Sequence, residues 1–300
     1  MGFPKTFSEV KSTANLYLDL ARPYNALPAL LSFAIGYYFY KPPSAWFDFL
    51  IGFTVVALLH SAFTMQNDLY DMDVDKANKR QTPLMNGLIP VASLRQVIIN
   101  LFFVSLVISW FSSNKLYCLI FVLAYAGIAW AYNSRPFSGS RRPIISILLL
   151  GLFYTLLPLS FGLALGNNNP TTGFVVFCLL MTVIRFSISI LKDFKDATGD
   201  RKHRKRTFYL AFGRKPTIVV SNLLGWIGYS LVSLMLARRF FGKLPLALIY
   251  LIIFVAIVNI INRTSLFRTS NEKTLTRIFQ KSFTAESYFE AMILVCLISL

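Results

Sequence analysis

Apolar runs long enough to cross a bilayer recur along the whole of this 300-residue chain, and nothing else limits its fold as strongly. Inside a membrane no water satisfies the backbone, so a spanning segment must be a helix or part of a closed barrel. Barrel strands are about ten residues long and alternate in polarity. The runs here are about twice that length and evenly apolar. They predict an all-α, polytopic membrane protein, with about nine transmembrane helices in one bundle around a central cavity. The expected spans are roughly 24–40, 46–66, 95–113, 116–133, 143–166, 171–191, 217–237, 244–262 and 283–300. Charged residues are 14% of the chain, well under the share of about 25% in soluble proteins.

The intervening loops test that count. With the N-terminus and every second loop taken as one side, that side carries 24 Lys and Arg and the other carries 5. This bias predicts a multi-pass protein whose N-terminus is cytoplasmic. It also accounts for the net charge of +17 without nucleic acid, because the cations lie between spans, where they set topology and meet anionic lipid. Cys118, Cys178 and Cys296 sit in apolar runs without metal-ligand spacing and are expected to be packing residues. No cleavable leader is expected, and Met1-Gly2 is not expected to carry a lipid. One domain, 1–300, is expected, with a weak internal repeat of about 1–142 and 143–300.

Two acidic strings share one spacing. The first, Asn67-Asp68-Leu69-Tyr70-Asp71-Met72-Asp73-Val74-Asp75, places Asp68, Asp71 and Asp75 at i, i+3 and i+7. The second places Asp193, Asp196 and Asp200 at the same offsets. On a continuous helix each trio shares one face. Asp73 has the opposite phase and is expected not to be a ligand. Seven of the 13 acidic residues lie in these strings, at the ends of apolar runs and on the side expected to be cytoplasmic. Like charges on one face repel unless a cation joins them. Hard divalent ions take carboxylate oxygens, and magnesium commonly adds substrate phosphates.

The first string resembles the first aspartate-rich motif of the UbiA superfamily of intramembrane prenyltransferases, and Asp193-x-x-Asp196-x-x-Gly199-Asp200 resembles the second. Arg22-Pro23-x-Asn25, Asn78-Lys79-x-x-x-Pro83-x-x-x-Gly87, Tyr132-Asn133-Ser134-Arg135-Pro136, Arg141-Arg142 and Thr207 are similar to motifs around them. The chain departs from the family pattern at Thr82, where Arg is usual before the proline, and at Arg204, where Gly is frequent.

The resemblance implies Mg2+-dependent transfer of a prenyl group from a polyprenyl diphosphate to a hydrophobic acceptor, aromatic or lipid, within the bilayer. It implies that Asp68, Asp71 and Asp75 hold one magnesium ion and Asp193, Asp196 and Asp200 another, these six being the catalytic set. Asn25, Asn67, Lys79, Arg80, Tyr132 and Arg142 are the expected substrate contacts. Loss of diphosphate from an allylic carbon leaves a cation that π-faces stabilise. His60 is expected to be a packing or hydrogen-bonding residue, and Arg185, costly within a span, is expected to be functional or paired. Phosphoribosyl transfer and terpene cyclisation remain open on the same motifs. The motif of CDP-alcohol phosphotransferases is missing. A cation transporter is the alternative of another class.

Overall fold

The computed structural model describes residues 12–40, 46–134, 136–194, 196–242, 246–268 and 272–299. Arg135 of the expected tyrosine-proline motif, Met1-Gly2 and several loop lysines lie outside them. All regular structure among the described residues is helical. The order is α1 (Thr13–Ala21), α2 (Pro23–Tyr37), α3 (Trp46–Tyr70), α4 (Met72–Ala77), α5 (Val91–Ser109), α6 (Lys115–Asn133), α7 (Pro143–Gly151), α8 (Leu157–Leu165) and α9 (Thr172–Ser189). Then follow α10 (Ala197–Lys202), α11 (Phe208–Phe212), α12 (Arg214–Phe240), α13 (Leu246–Thr264) and α14 (Glu272–Ile298). A π-turn, Leu152–Leu156, joins α7 to α8 as one rod, with Pro158 near the start of α8.

The helices form a closed ring. α2 packs on α3 and α8, α3 on α5 and α6, and α7 on α9; α9 meets α12, then α13, then α14, which returns to α2. Lipid gives helices no hydrophobic reason to associate, so close backbone packing must hold them. Gly36 and Gly162 supply it between α2 and α8, where an added Cβ would strike the carbonyl of Leu159 or of Phe33. Phe33, Tyr125, Phe153 and Phe177 fill the interior, while Phe103, Trp110, Leu123 and Phe254 point outward.

Among the described residues, seven helical stretches are long and apolar enough to cross a membrane, against the nine expected spans. The first expected span falls on α2, whose 15 residues are short of the roughly 20 a bilayer requires. The last falls on α14, where Glu286 and Glu290 interrupt the apolar face.

Neither aspartate string is one helix. α3 stops at Tyr70, Asp71 sits at the break (φ −99, ψ 13), and α4 resumes at Met72. The second string repeats this with a 3-10 turn, Leu191–Phe194, a break at Asp196 (φ −107, ψ 4) and α10. A straight helix would carry Asp75 about 10 Å beyond Asp68 along the axis. The break turns it back over the interior.

Candidate active site

A cavity of about 510 Å3 opens where the two strings meet. Asp71, Asp75, Asp193, Asp196 and Asp200 all line it, together with Asn25, Asn67, Arg80 and Tyr132. Three of the expected residues are placed otherwise. Asp68 is 1% exposed and lies behind the wall, in a short ion pair with Arg22 and 3.6 Å from Arg80. Lys79 points to solvent from a left-handed turn. Arg142 is exposed and stacks over Phe137, 5.0 Å from the ring centroid. Asp73 is exposed on α4, away from the cavity.

Cations hold the carboxylates apart. Arg80 Nη1 lies 3.2 Å from Asp75, and Lys205 Nζ lies 2.9 Å from Asp71 and 3.7 Å from Asp200. Asn67 donates to Asp71 at 3.1 Å and to Asn133 at 3.0 Å. The Phe208 amide donates to Asp193 at 3.1 Å. Lys192 contacts the Tyr132 hydroxyl and sits 4.9 Å from its ring centroid.

Burial pushes Asp200 up to about 7, with Lys205 opposing and Asp196 and Asp193 adding to the shift. Burial also raises Asp75 above the usual carboxylate range, against the pull of Arg80. Asp200 Oδ1 is buried without a hydrogen-bond partner among the described residues.

The two strings are copies in detail. Adding 125 to each first-string number maps Asp68, Asp71 and Asp75 onto Asp193, Asp196 and Asp200, Arg80 onto Lys205, and Thr82 onto Thr207. The backbone follows the same rule. The Arg80 amide donates to the Asp75 carbonyl at 2.9 Å, and the Lys205 amide donates to Asp200 at 2.8 Å. Lys79 and Arg204, just before them, share a φ of 54°. Lys205 was not among the expected contacts, and this offset from Arg80 is the signal that points to it.

Deeper in, the wall turns apolar and aromatic: Phe63, Leu150, Tyr154, Ile188 and Phe283. Arg185 lines this inner end, 2.9 Å from Glu286 and 3.4 Å from Glu290 on α14. Its span position is therefore paid for by paired charge. His60 is fully buried beside Tyr154 and Phe153, and neither ring nitrogen has a partner among the described residues, so it packs without bonding. Sequence reasoning also missed Arg22 as a site residue and the contribution of α14, through Phe279, Gln280, Phe283 and Thr284.

Residues 26–285 match the UbiA prenyltransferase family, which is most of the chain. The chain belongs to that family. A digeranylgeranylglyceryl phosphate synthase of Methanosphaera stadtmanae is 27% identical over 249 residues, 80% of this chain and 83% of that protein. A chloroplastic 2-acylphloroglucinol 4-prenyltransferase of Humulus lupulus is 26% identical over 244 residues, 74% of this chain and 57% of that one. Among solved structures, a UbiA homolog from Archaeoglobus fulgidus bound to GPP and Mg2+ has a TM-score of 0.65 at 20% identity, covering 94% of this chain and 99% of its own. A digeranylgeranylglyceryl phosphate synthase has a TM-score of 0.66 at 20% identity, with 97% and 100% covered. These likenesses establish the UbiA fold for the present prenyltransferase. Its helical membrane bundle is that of a UbiA-family enzyme.

Proposed function

We propose that this UbiA-family chain transfers a prenyl group from a polyprenyl diphosphate to an amphiphilic acceptor at the cavity between the two aspartate strings. The observation that carries this is the meeting of five carboxylates, from segments far apart in sequence, at the rim of a pocket whose inner wall is apolar.

The residues fit magnesium. Among the described residues no three acidic, His or Cys side chains form a ready chelating cluster. Magnesium does not need one, since it is commonly held by one or two carboxylates together with substrate phosphates. Asp200 Oδ1, which has no hydrogen bond among the described residues and only the 3.7 Å approach of Lys205, is a hard oxygen of the required kind. Asp71 and Asp75 on one side, and Asp193, Asp196 and Asp200 on the other, would hold the metal. When bound, it neutralises diphosphate charge and so favours departure of the leaving group.

The protein groups divide the remaining work. Arg80 and Lys205 neutralise carboxylates at the rim and would be the cations to meet the phosphate oxygens of a bound diphosphate. Asp68, out of the cavity, holds Arg22 and Arg80 in place. The prenyl chain lies inward against Phe63, Leu150 and Ile188, which exclude water. The C1–O bond breaks with its electron pair leaving on the diphosphate, and the π-faces of Tyr154, Phe63 and Phe283 meet the positive charge on carbon. The acceptor atom then bonds to C1 and loses a proton.

Membranes bearing the wild-type chain or its Asp196→Asn variant, supplied with labelled geranylgeranyl diphosphate, test this. Label is expected in a lipid-extractable product only with Mg2+ and only with the wild type. Equal labelling by both would overturn the assignment. Mass spectrometry of lipids from cells with and without the protein identifies the acceptor.

A further inference from the structure

We propose that a second cavity, beside the first, is a metal-independent site for phosphate-bearing anions, inorganic pyrophosphate foremost. It measures about 570 Å3 and is walled by Arg201, Arg204, Lys205, Arg206 and Arg214, with no acidic residue in its lining. The sequence has no Asp or Glu between Asp200 and Glu272, and of the five cations only Lys205 is in a carboxylate ion pair among the described residues. Arg201, Arg204 and Arg206 are exposed and form no ion pair among the described residues. Arg214 donates only to a backbone carbonyl, that of Leu266, at 3.4 Å.

Four of the five cations are arginines. The guanidinium fork matches the oxygen pairs of a phosphate, and several forks around one space suit a multiply charged anion better than a single carboxylate. Arg204 holds a left-handed backbone, φ 54°, that disfavours a side chain. The turn is fastened by the Lys205 amide on the Asp200 carbonyl and the His203 amide on Gly199. Backbone strain of this sort is kept where a side chain is required in place.

Lys205 lines both cavities, so the two adjoin through one residue. Their electrostatics differ. Five carboxylates face the first, and phosphate enters it only with a metal. None faces the second, and phosphate needs no metal there. Resting on the proposed prenyl transfer, the second cavity is where the departing pyrophosphate goes. The same chemistry would accept the phosphate of an anionic lipid headgroup.

The test uses the full chain in phosphatidylcholine nanodiscs with EDTA present, titrated with pyrophosphate by calorimetry. Saturable binding is expected, weakened about tenfold or more in Arg204→Gln/Arg206→Gln, since bonds to charged groups are lost. Both residues make no side-chain bond among the described residues, and unchanged size-exclusion behaviour checks the fold. Arg201→Gln, on α10, gives the same reading if the pair folds poorly. If pyrophosphate does not bind but phosphatidylglycerol raises the melting temperature of the wild type and not of the variant, the site stands and its ligand is lipid. No response to either ligand, or equal responses from wild type and variant, overturns the proposal. Mg2+-dependent binding of geranyl diphosphate, measured in parallel, should survive in the variant. Its absence from the wild type would sink the prenyl-transfer reading and leave the EDTA result standing.

Discussion

The side-chain oxygen of Asn78 accepts the Gly199 amide at 2.7 Å, and the Asn78 amide reaches the Asp196 carbonyl at 3.4 Å. The turn after the first aspartate string is thereby fastened onto the helix of the second. A Cβ on Gly199 would stand 2.5 Å from Asn78 Nδ2, so only glycine lets the two approach this closely. Gly199→Ala is expected to displace Asn78 and cost about 1–3 kcal/mol of stability, the usual penalty for stranding buried polar groups. A matching drop in Mg2+-dependent turnover is expected, since Asp196 moves with the contact. Thermal melting and a labelled-donor assay on the same preparation check both.

Asp68 and Asp73 should separate cleanly. Removal of Asp68 takes from Arg22 its short pair partner and from Arg80 one of its two ion pairs among the described residues. Asp68→Ala is expected to cost about 3 kcal/mol, as when one partner of a buried pair is lost. Exposed Asp73→Ala should change stability by less than about 0.5 kcal/mol. Denaturation in detergent gives the comparison, and equal losses would contradict the placement of Asp68 behind the wall.

The pH response follows from Asp200. Its folded value of about 7 lies above its ordinary value of 3.8, so the folded state holds the proton more tightly than the unfolded chain. The associated stability is fully present below the ordinary value and is lost as pH rises through 7. Metal binding has the opposite sign, because the proton competes for the same oxygen. Mg2+ affinity should fall by up to about tenfold per unit as pH drops below 7, and Asp200→Asn should flatten that slope. Titrations of Mg2+ at several pH values, read by thermal shift, decide it.

Arg204 offers a gain in stability. Glycine carries no penalty in the left-handed region, whereas a side chain costs about 1–2 kcal/mol there. Arg204→Gly is expected to raise the melting temperature of the ligand-free protein. A fall would mean that the arginine side chain makes a bond worth more than its backbone strain.

Much of this architecture was written in local patterns. Uniform apolar runs announce helices, and a helix stands at each expected span, though those on α2 and α14 are not among the seven described stretches long and apolar enough to cross. α2 begins at Pro23 and is too short by itself, and α14 carries Glu286 and Glu290. The meeting of the strings was legible because acid is scarce elsewhere. The breaks at Asp71 and Asp196 were not, since neither position itself is a Gly or Pro; folding the short helix over the pocket is a tertiary demand. Arg22 reaches Asp68 only through a left-handed turn, φ 46°, which nothing in Arg22-Pro23 announces. The walls supplied by α14 depend on ring closure between distant segments, which periodicity does not encode.

The ion pairs of Arg185 with Glu286 and Glu290 bear on how the protein is built. A helix bearing two glutamates is a poor candidate for partitioning into lipid unaided, and so is an arginine in mid-span. Paired, each offsets part of the other's cost. α9 and α14 lie far apart in the chain, and the pairing joins them at the inner end of the cavity. Each helix carries a charge that the bilayer would reject and that only the other makes tolerable.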